Sequence, residues 1–296
     1  MHRIASQAVL GSLLILMLQD ALAAEPSTTP ASVVASTPAA RGELPLWELG
    51  IAAAAAGSPD YPGSDRSRAR VLPLPYGIYR GKTLRADEDG LSSRFRFSPT
   101  VELDLSFGGA LPAASNGNPA REGMPDLDLL LEVGPQLSVL LARPTRSTAL
   151  TLAVPLRAVF STDFDRFKSR GVLLAPELSY TNGKFASRGW STRVTLGTSF
   201  ATEPLADYFY EVSPQFARAD RPTYDASGGY LESSLTTVVS RSFVNDISLF
   251  TFVRLASLQE ATNDRSPLLR DQTNMTFGIG LAYTFLRSKK TVSNED

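Results

Sequence analysis

The chain contains no cysteine, and its one histidine is His2. Without thiols there is no disulfide framework and no thiolate metal site. Without a histidine beyond residue 2, Ser-His-Asp hydrolysis, Cys-His chemistry and ordinary zinc coordination each lose a required side chain. Two oxygen-only chemistries pass this filter: paired carboxylates acting on a glycosidic bond, and a Ca²⁺ site. An excess of one charge is missing too. The formal net charge is -1, so no field for nucleic acid or for an anionic membrane surface is implied. Past the N-terminus, nothing approaches the roughly 20 apolar residues of a transmembrane helix.

What is present begins with an export leader. Met1 to Arg3 form a short basic n-region, an apolar run extends from Ala8 to Leu18, and Ala21-Leu22-Ala23 has the small-x-small pattern read by signal peptidase. This predicts a signal peptide over residues 1–23, cut between Ala23 and Ala24. Residues 24–45 are mostly Ala, Pro, Ser and Thr. Such a stretch buries too little apolar surface to offset its ordering entropy, and it reads as a flexible tether. No second break in composition follows, which leaves one domain over 46–286 and a polar tail over 287–296.

The fold class comes from alternation. Phe95, Phe97, Val101, Leu103, Leu105 and Phe107 share one parity, and Arg94, Arg96, Ser98, Thr100, Glu102, Asp104 and Ser106 share the other. A pleated strand sends these sets to opposite faces. The pattern returns around Leu127–Leu141, Leu150–Leu156, Val172–Leu178, Trp190–Leu196 and Met275–Phe285. A soluble sandwich uses strands of about five or six residues, whereas a membrane barrel needs about 9–11. Several runs here are longer than ten residues, and the second parity mixes small with charged side chains, as a wet or salt-bridged lumen requires. The expectation is all-β: an antiparallel transmembrane β-barrel in a Gram-negative outer membrane. Short turns at Arg80-Gly81, Arg143-Pro144-Thr145, Asn182-Gly183 and Ser242-Phe243 alternate with long connections at 57–68, 109–126, 161–170, 201–227 and 258–270. That alternation predicts about ten strands with both termini on the periplasmic side. An extra hairpin within 82–98, where Gly90 and Pro99 interrupt a long run, makes twelve the alternative. Aromatic residues near strand ends, Trp47, Trp190 and Phe285 among them, suit the girdles at a membrane interface.

Several motifs are similar to those of the MipA/OmpV family of outer-membrane barrels. They are Arg121-Glu122-Gly123-Met124-Pro125-Asp126-Leu127-Asp128, Tyr61-Pro62-Gly63-Ser64, Asp207-Tyr208-Phe209-Tyr210-Glu211-Val212-Ser213-Pro214, Arg221-Pro222-Thr223-Tyr224 and Ser266-Pro267-Leu268, with the closing strand Gly278 to Phe285. The resemblance spans nearly the whole chain after the tether. It implies a non-enzymatic scaffold that docks murein enzymes, joining a murein hydrolase to a penicillin-binding protein. Two departures stand out: a polar tail follows Phe285, and Phe209 sits between two tyrosines.

Candidate functional residues fall in two groups. Asp126, Asp128 and Glu132 share the parity expected to face the lumen, with Arg96, Arg157, Arg193 and Arg254 across from them. They make either a selectivity ring or catalytic carboxylate pair, or a salt-bridged ladder filling a narrow interior; the ladder is preferred, because unpaired charge there is costly. Tyr208, Phe209 and Tyr210 form either an exposed contact patch or the packing of a long loop over the barrel mouth. No cofactor or metal is expected. The principal reading is the scaffold, the alternative a narrow channel for small solutes, and the third a carboxylate hydrolase using Asp126 and Glu132.

Overall fold

The computed structural model describes residues 44–292, apart from 81–83, 88–89, 94, 186–188 and 244–245. The predicted signal peptide, its Ala23–Ala24 cleavage site and the tether up to residue 43 lie outside the described residues. The chain is built almost wholly of strands. A two-residue strand β1 (Leu44–Pro45) precedes β2 (Trp47–Pro59) and β3 (Ser67–Arg80). Three short segments follow, β4 (Leu84–Asp87), β5 (Gly90–Ser93) and β6 (Phe95–Ser98), and then β7 (Val101–Ala110). The long hairpin β8 (Leu129–Thr145) and β9 (Thr148–Thr162) leads to β10 (Phe167–Leu174), β11 (Glu177–Asn182) and β12 (Trp190–Ala201). A helix α1 (Glu203–Tyr210) comes next, then β13 (Gly229–Ser242), β14 (Ile247–Ser257), β15 (Thr273–Arg287) and β16 (Thr291–Val292).

Fourteen of these segments form one antiparallel sheet, whose order begins at β5 and ends at β6. Those two ends are consecutive in the chain, so the order closes on itself. β10 and β11 both pair with β9 and β12 and are one strand broken at Ala175-Pro176, where the proline ring removes a ladder donor. Merging these two continuous pairs leaves twelve strands, the alternative count. The extra hairpin is β4–β5, with Leu84 opposite Ser93 and Asp87 opposite Gly90. The connection expected to be long over 161–170 is instead a short turn between Thr162 and Phe167, because β9 and β10 pair out to Phe167↔Thr162.

The apolar parity faces outward. On β15, Met275, Phe277, Ile279 and Leu281 are each more than half exposed, while Gly278 and Gly280 between them and Asn274 and Ala282 on either side are buried. The same holds on β14, where Val253 and Leu255 are exposed and Phe252, Arg254 and Ala256 are buried. In water such a continuous apolar belt would drive association; around a closed sheet it is the surface a bilayer wets. At the short-turn end the belt finishes in aromatics. Arg241 lies opposite Trp190 on the neighbouring strand, with its guanidinium 5.1 Å from that ring and 4.9 Å from the Phe243 ring. Both chain termini reach this same end: Leu44 pairs with Val292 and Pro45 with Thr291, so part of the expected tail is paired.

Candidate functional site

At the long-loop end the inward face changes character. Leu130, Val159 and Leu173 point in from strands β8, β9 and β10, where the alternation alone predicts polar neighbours, and Leu231 is buried beside them at a bulge in β13. They form one apolar cluster with loop residues Tyr61, Ala113, Ala120, Leu205, Phe209, Tyr210, Leu258 and Leu268. The long loops therefore do not splay into solvent; they fold over the mouth as a cap. Its buried polar groups are satisfied mainly by backbone carbonyls. The Tyr61 hydroxyl donates to the Leu268 carbonyl at 2.7 Å, and Tyr210 donates to that of Pro62 at 3.1 Å. Ser266 donates to the Tyr210 carbonyl at 2.8 Å, and Tyr208 to that of Asp128 at 3.2 Å.

Two buried arginines tie the cap together. Arg221 donates twice to the Phe216 carbonyl and once each to those of Ala120 and Glu122, at 2.7 to 3.1 Å. Arg121 donates to the Phe209 and Pro125 carbonyls, and its guanidinium stands 5.4 Å from the Tyr61 ring. Burial lowers the pKa of both guanidiniums. Carbonyl dipoles and a ring face replace the water that each cation loses. The motifs at 61–64, 121–128, 207–214, 221–224 and 266–268 thus converge in space, each holding another's backbone.

The structure places the expected contact residues inside this cap. Phe209 and Tyr210 are buried and Tyr208 is half-buried on α1, which corrects the idea of an exposed aromatic patch. The apolar side of the short helix has the barrel mouth to cover, and burial there outweighs exposure. Asp126 and Asp128 also leave the lumen row, because the regular β8 ladder starts only at Leu129. Asp126 is exposed and accepts the Ser115 backbone N–H at 2.6 Å, closing the loop locally.

Below the cap the lumen is charged and filled. Glu132 on β8 meets Arg157 on β9 at 3.2 Å, and both are buried. Arg157 also donates to Ser106 on β7 at 2.9 Å. Gly108 leaves room for this pair, since a Cβ there would lie 2.6 Å from the Glu132 carboxylate. Arg193 faces inward, half-buried, on β12. A second pair, Glu232 with Arg254, joins β13 to β14 and is buried on both sides. Alternation marked Glu132, Arg157, Arg193 and Arg254 as inward but did not pair Arg254 with Glu232. No group of three or more potential metal-ligating side chains is found among the described residues.

A model of the family described as MltA-interacting protein MipA matches residues 51–285. No curated protein matches the chain. Among solved structures it is similar to an outer membrane channel of Pseudomonas putida F1, at 11% identity and a TM-score of 0.42, covering 83% of this chain and 98% of that one. It is also similar to outer membrane phospholipase A of Escherichia coli, at 12% identity and a TM-score of 0.32, covering 86% and 97%. At this distance neither likeness says what this chain does.

Two outcomes follow from the geometry. Arg157→Leu strands a buried carboxylate and lowers stability by about 3–5 kcal/mol, and Glu132→Leu with Arg157→Leu recovers much of the loss; urea midpoints in detergent micelles read this. The second outcome concerns the cap tyrosines. Burial first, then the Asp128 charge, pushes the Tyr208 phenol up to about 12, and burial raises Tyr61 and Tyr210 as well. Their folded pKa values lie above the ordinary value of about 10, so the neutral phenols' contribution is complete below pH ~10 and is lost as pH rises through the folded values. Tyrosinate absorbance in the intact barrel should therefore lag behind that of the urea-unfolded chain above pH ~10.

Proposed function

The chain belongs to the family of the MltA-interacting protein MipA, and from that membership we propose that it is a non-enzymatic docking barrel of the Gram-negative outer membrane. Its partners on this reading are murein-processing enzymes: a murein hydrolase and a penicillin-binding protein. The observation that supports this best is how the cap uses its residues. Tyr61, Arg121, Phe209, Tyr210, Arg221 and Ser266 are buried and hold one another, so the long-loop end keeps its distinctive side chains for itself. The opposite end carries the short turns, the exposed Trp47 and Phe243, and the ribbon where Leu44–Pro45 pairs with Thr291–Val292. With that end in the periplasm, the tether and tail emerge from one paired platform on the side where murein lies.

Turnover has little support in the site. Glu132 is committed to Arg157, Asp126 closes a loop, and the two do not converge on a shared space. The narrow-channel alternative also fits poorly, because a packed cap lies over two buried ion pairs within a lumen of twelve strands.

Deleting residues 24–43 together with 288–296 should weaken capture of a purified murein hydrolase by roughly tenfold or more, a loss of about 1.4 kcal/mol. The substitution Tyr208→Ala in the cap should leave that capture unchanged. Undiminished capture by the truncated barrel would remove the platform from the account. Purified protein in planar bilayers should show no large, stable single-channel steps; such steps would promote the channel reading.

A further inference from the structure

Toward the long-loop end, the outward surface of the wall has a cleft of about 370 Å³ where β15, β2 and β3 run side by side. Its floor follows from the local sequence. β2 turns Ala53, Ala55 and Gly57 to the outward face, beside the bulky row of β15, so the apolar belt dips along β2. Gly57 stands between Phe277 on β15 and Ala69 on β3. The Phe277 ring leans across it, since a Cβ on Gly57 would lie 3.1 Å from that ring. Met275 and Phe277, both exposed, give the cleft an apolar side wall.

The rim nearest the long loops is polar, and a clamp fixes it. The Gly63 N–H donates to the Asn274 Oδ1 at 2.6 Å, and the Asn274 Nδ2 donates to the Ser64 carbonyl at 3.1 Å. The Asp271 N–H donates to the Gly63 carbonyl at 3.0 Å. Gly63 has a φ of 83°, and a Cβ there would meet the Leu269 side chain at 2.7 Å, so the clamp requires glycine. It carries Asp65 and Asp271 to one rim, both exposed. The Asp271 carboxylate accepts the Thr273 N–H at 3.0 Å, which orients it. Arg68, the cation that lines the cleft, does not balance these charges. It is matched by the buried Asp60 at 2.7 Å and donates to the Ala114 carbonyl. Arg66 and Arg270 flank the two aspartates in sequence but do not line the cleft. Among the described residues, neither aspartate forms an ion pair.

We propose that this cleft binds a cationic amphiphile, an ammonium head on an alkyl chain, at the long-loop rim of the barrel. Gly57, Ala69, Met275 and Phe277 take the chain, and Asp65 and Asp271 take the head. The volume falls within the range of small-ligand sites, roughly 300–1,000 Å³. An ammonium gains charge-assisted hydrogen bonds from the two carboxylates. A phosphate or carboxylate head on the same chain meets two like charges there instead, so the rim selects against anionic lipid. The site lies outside both the lumen and the cap. It goes beyond the docking role and does not depend on it.

The absence of cysteine allows a direct test on the full-length barrel in phosphatidylcholine nanodiscs. A bimane label on Val71→Cys, the next outward position after Ala69, reports on the cleft; one on Leu196→Cys, exposed on β12, serves as reference. A hexadecylammonium spin probe should quench position 71 saturably, at levels where quenching at 196 is still linear. A stearate spin probe should saturate at neither position. Asp65→Asn with Asp271→Asn should raise the half-saturation concentration of the ammonium probe by roughly tenfold, the loss of charge-assisted contacts. Ala69→Phe, which fills the floor, should abolish the saturable component. Equal, non-saturating quenching at 71 and 196 overturns the proposal, as does stearate that matches the ammonium probe. So does oxidative cross-linking of Val71→Cys between copies, which would show that the cleft seats a second barrel. If Asp271→Asn fails to fold, Asp65→Asn alone, in an exposed turn, still decides.

Discussion

In hydrocarbon a backbone N–H or C=O has no water to turn to, and the whole architecture answers to that constraint. The sheet closes through Ser93 and Phe95 so that nearly every strand has two neighbours. The alternation of apolar and polar side chains follows from it, because a closed wall has one face in lipid and one in a narrow interior.

The interior repeats the problem with charge. Arg157 and Arg254 are buried inside the wall, and each is matched by a glutamate on the adjacent strand. Arg121 and Arg221 are buried in the cap and are matched instead by carbonyls that the irregular loops leave without ladder partners. Loops and arginines thus satisfy each other: the loops supply acceptors, and the guanidinium forks hold together segments up to about a hundred residues apart in the chain, as Arg221 does with Ala120.

The strands were legible because a period of two survives any choice of apolar residue. Glu132 and Arg157 were legible as inward for the same reason. The cap was not. Leu130, Val159 and Leu173 sit on the lumen parity, and only the folded loops show why apolar residues belong there. Tyr208–Tyr210 carried two readings because the sequence does not say which surface lies above a loop. Asp126 and Asp128 obeyed the parity of β8 but precede its ladder, and parity has no meaning before a strand begins.

The sequence by itself determined an alternating, cysteine-free chain that must close as a barrel, since side-chain period and composition are local properties. It also carried the family motifs as separate islands. Only the tertiary structure decided that those islands meet as one cap and that Glu232 faces Arg254. Each of those depends on which strands become neighbours, and register between distant segments is a property of the closed sheet rather than of any stretch within it.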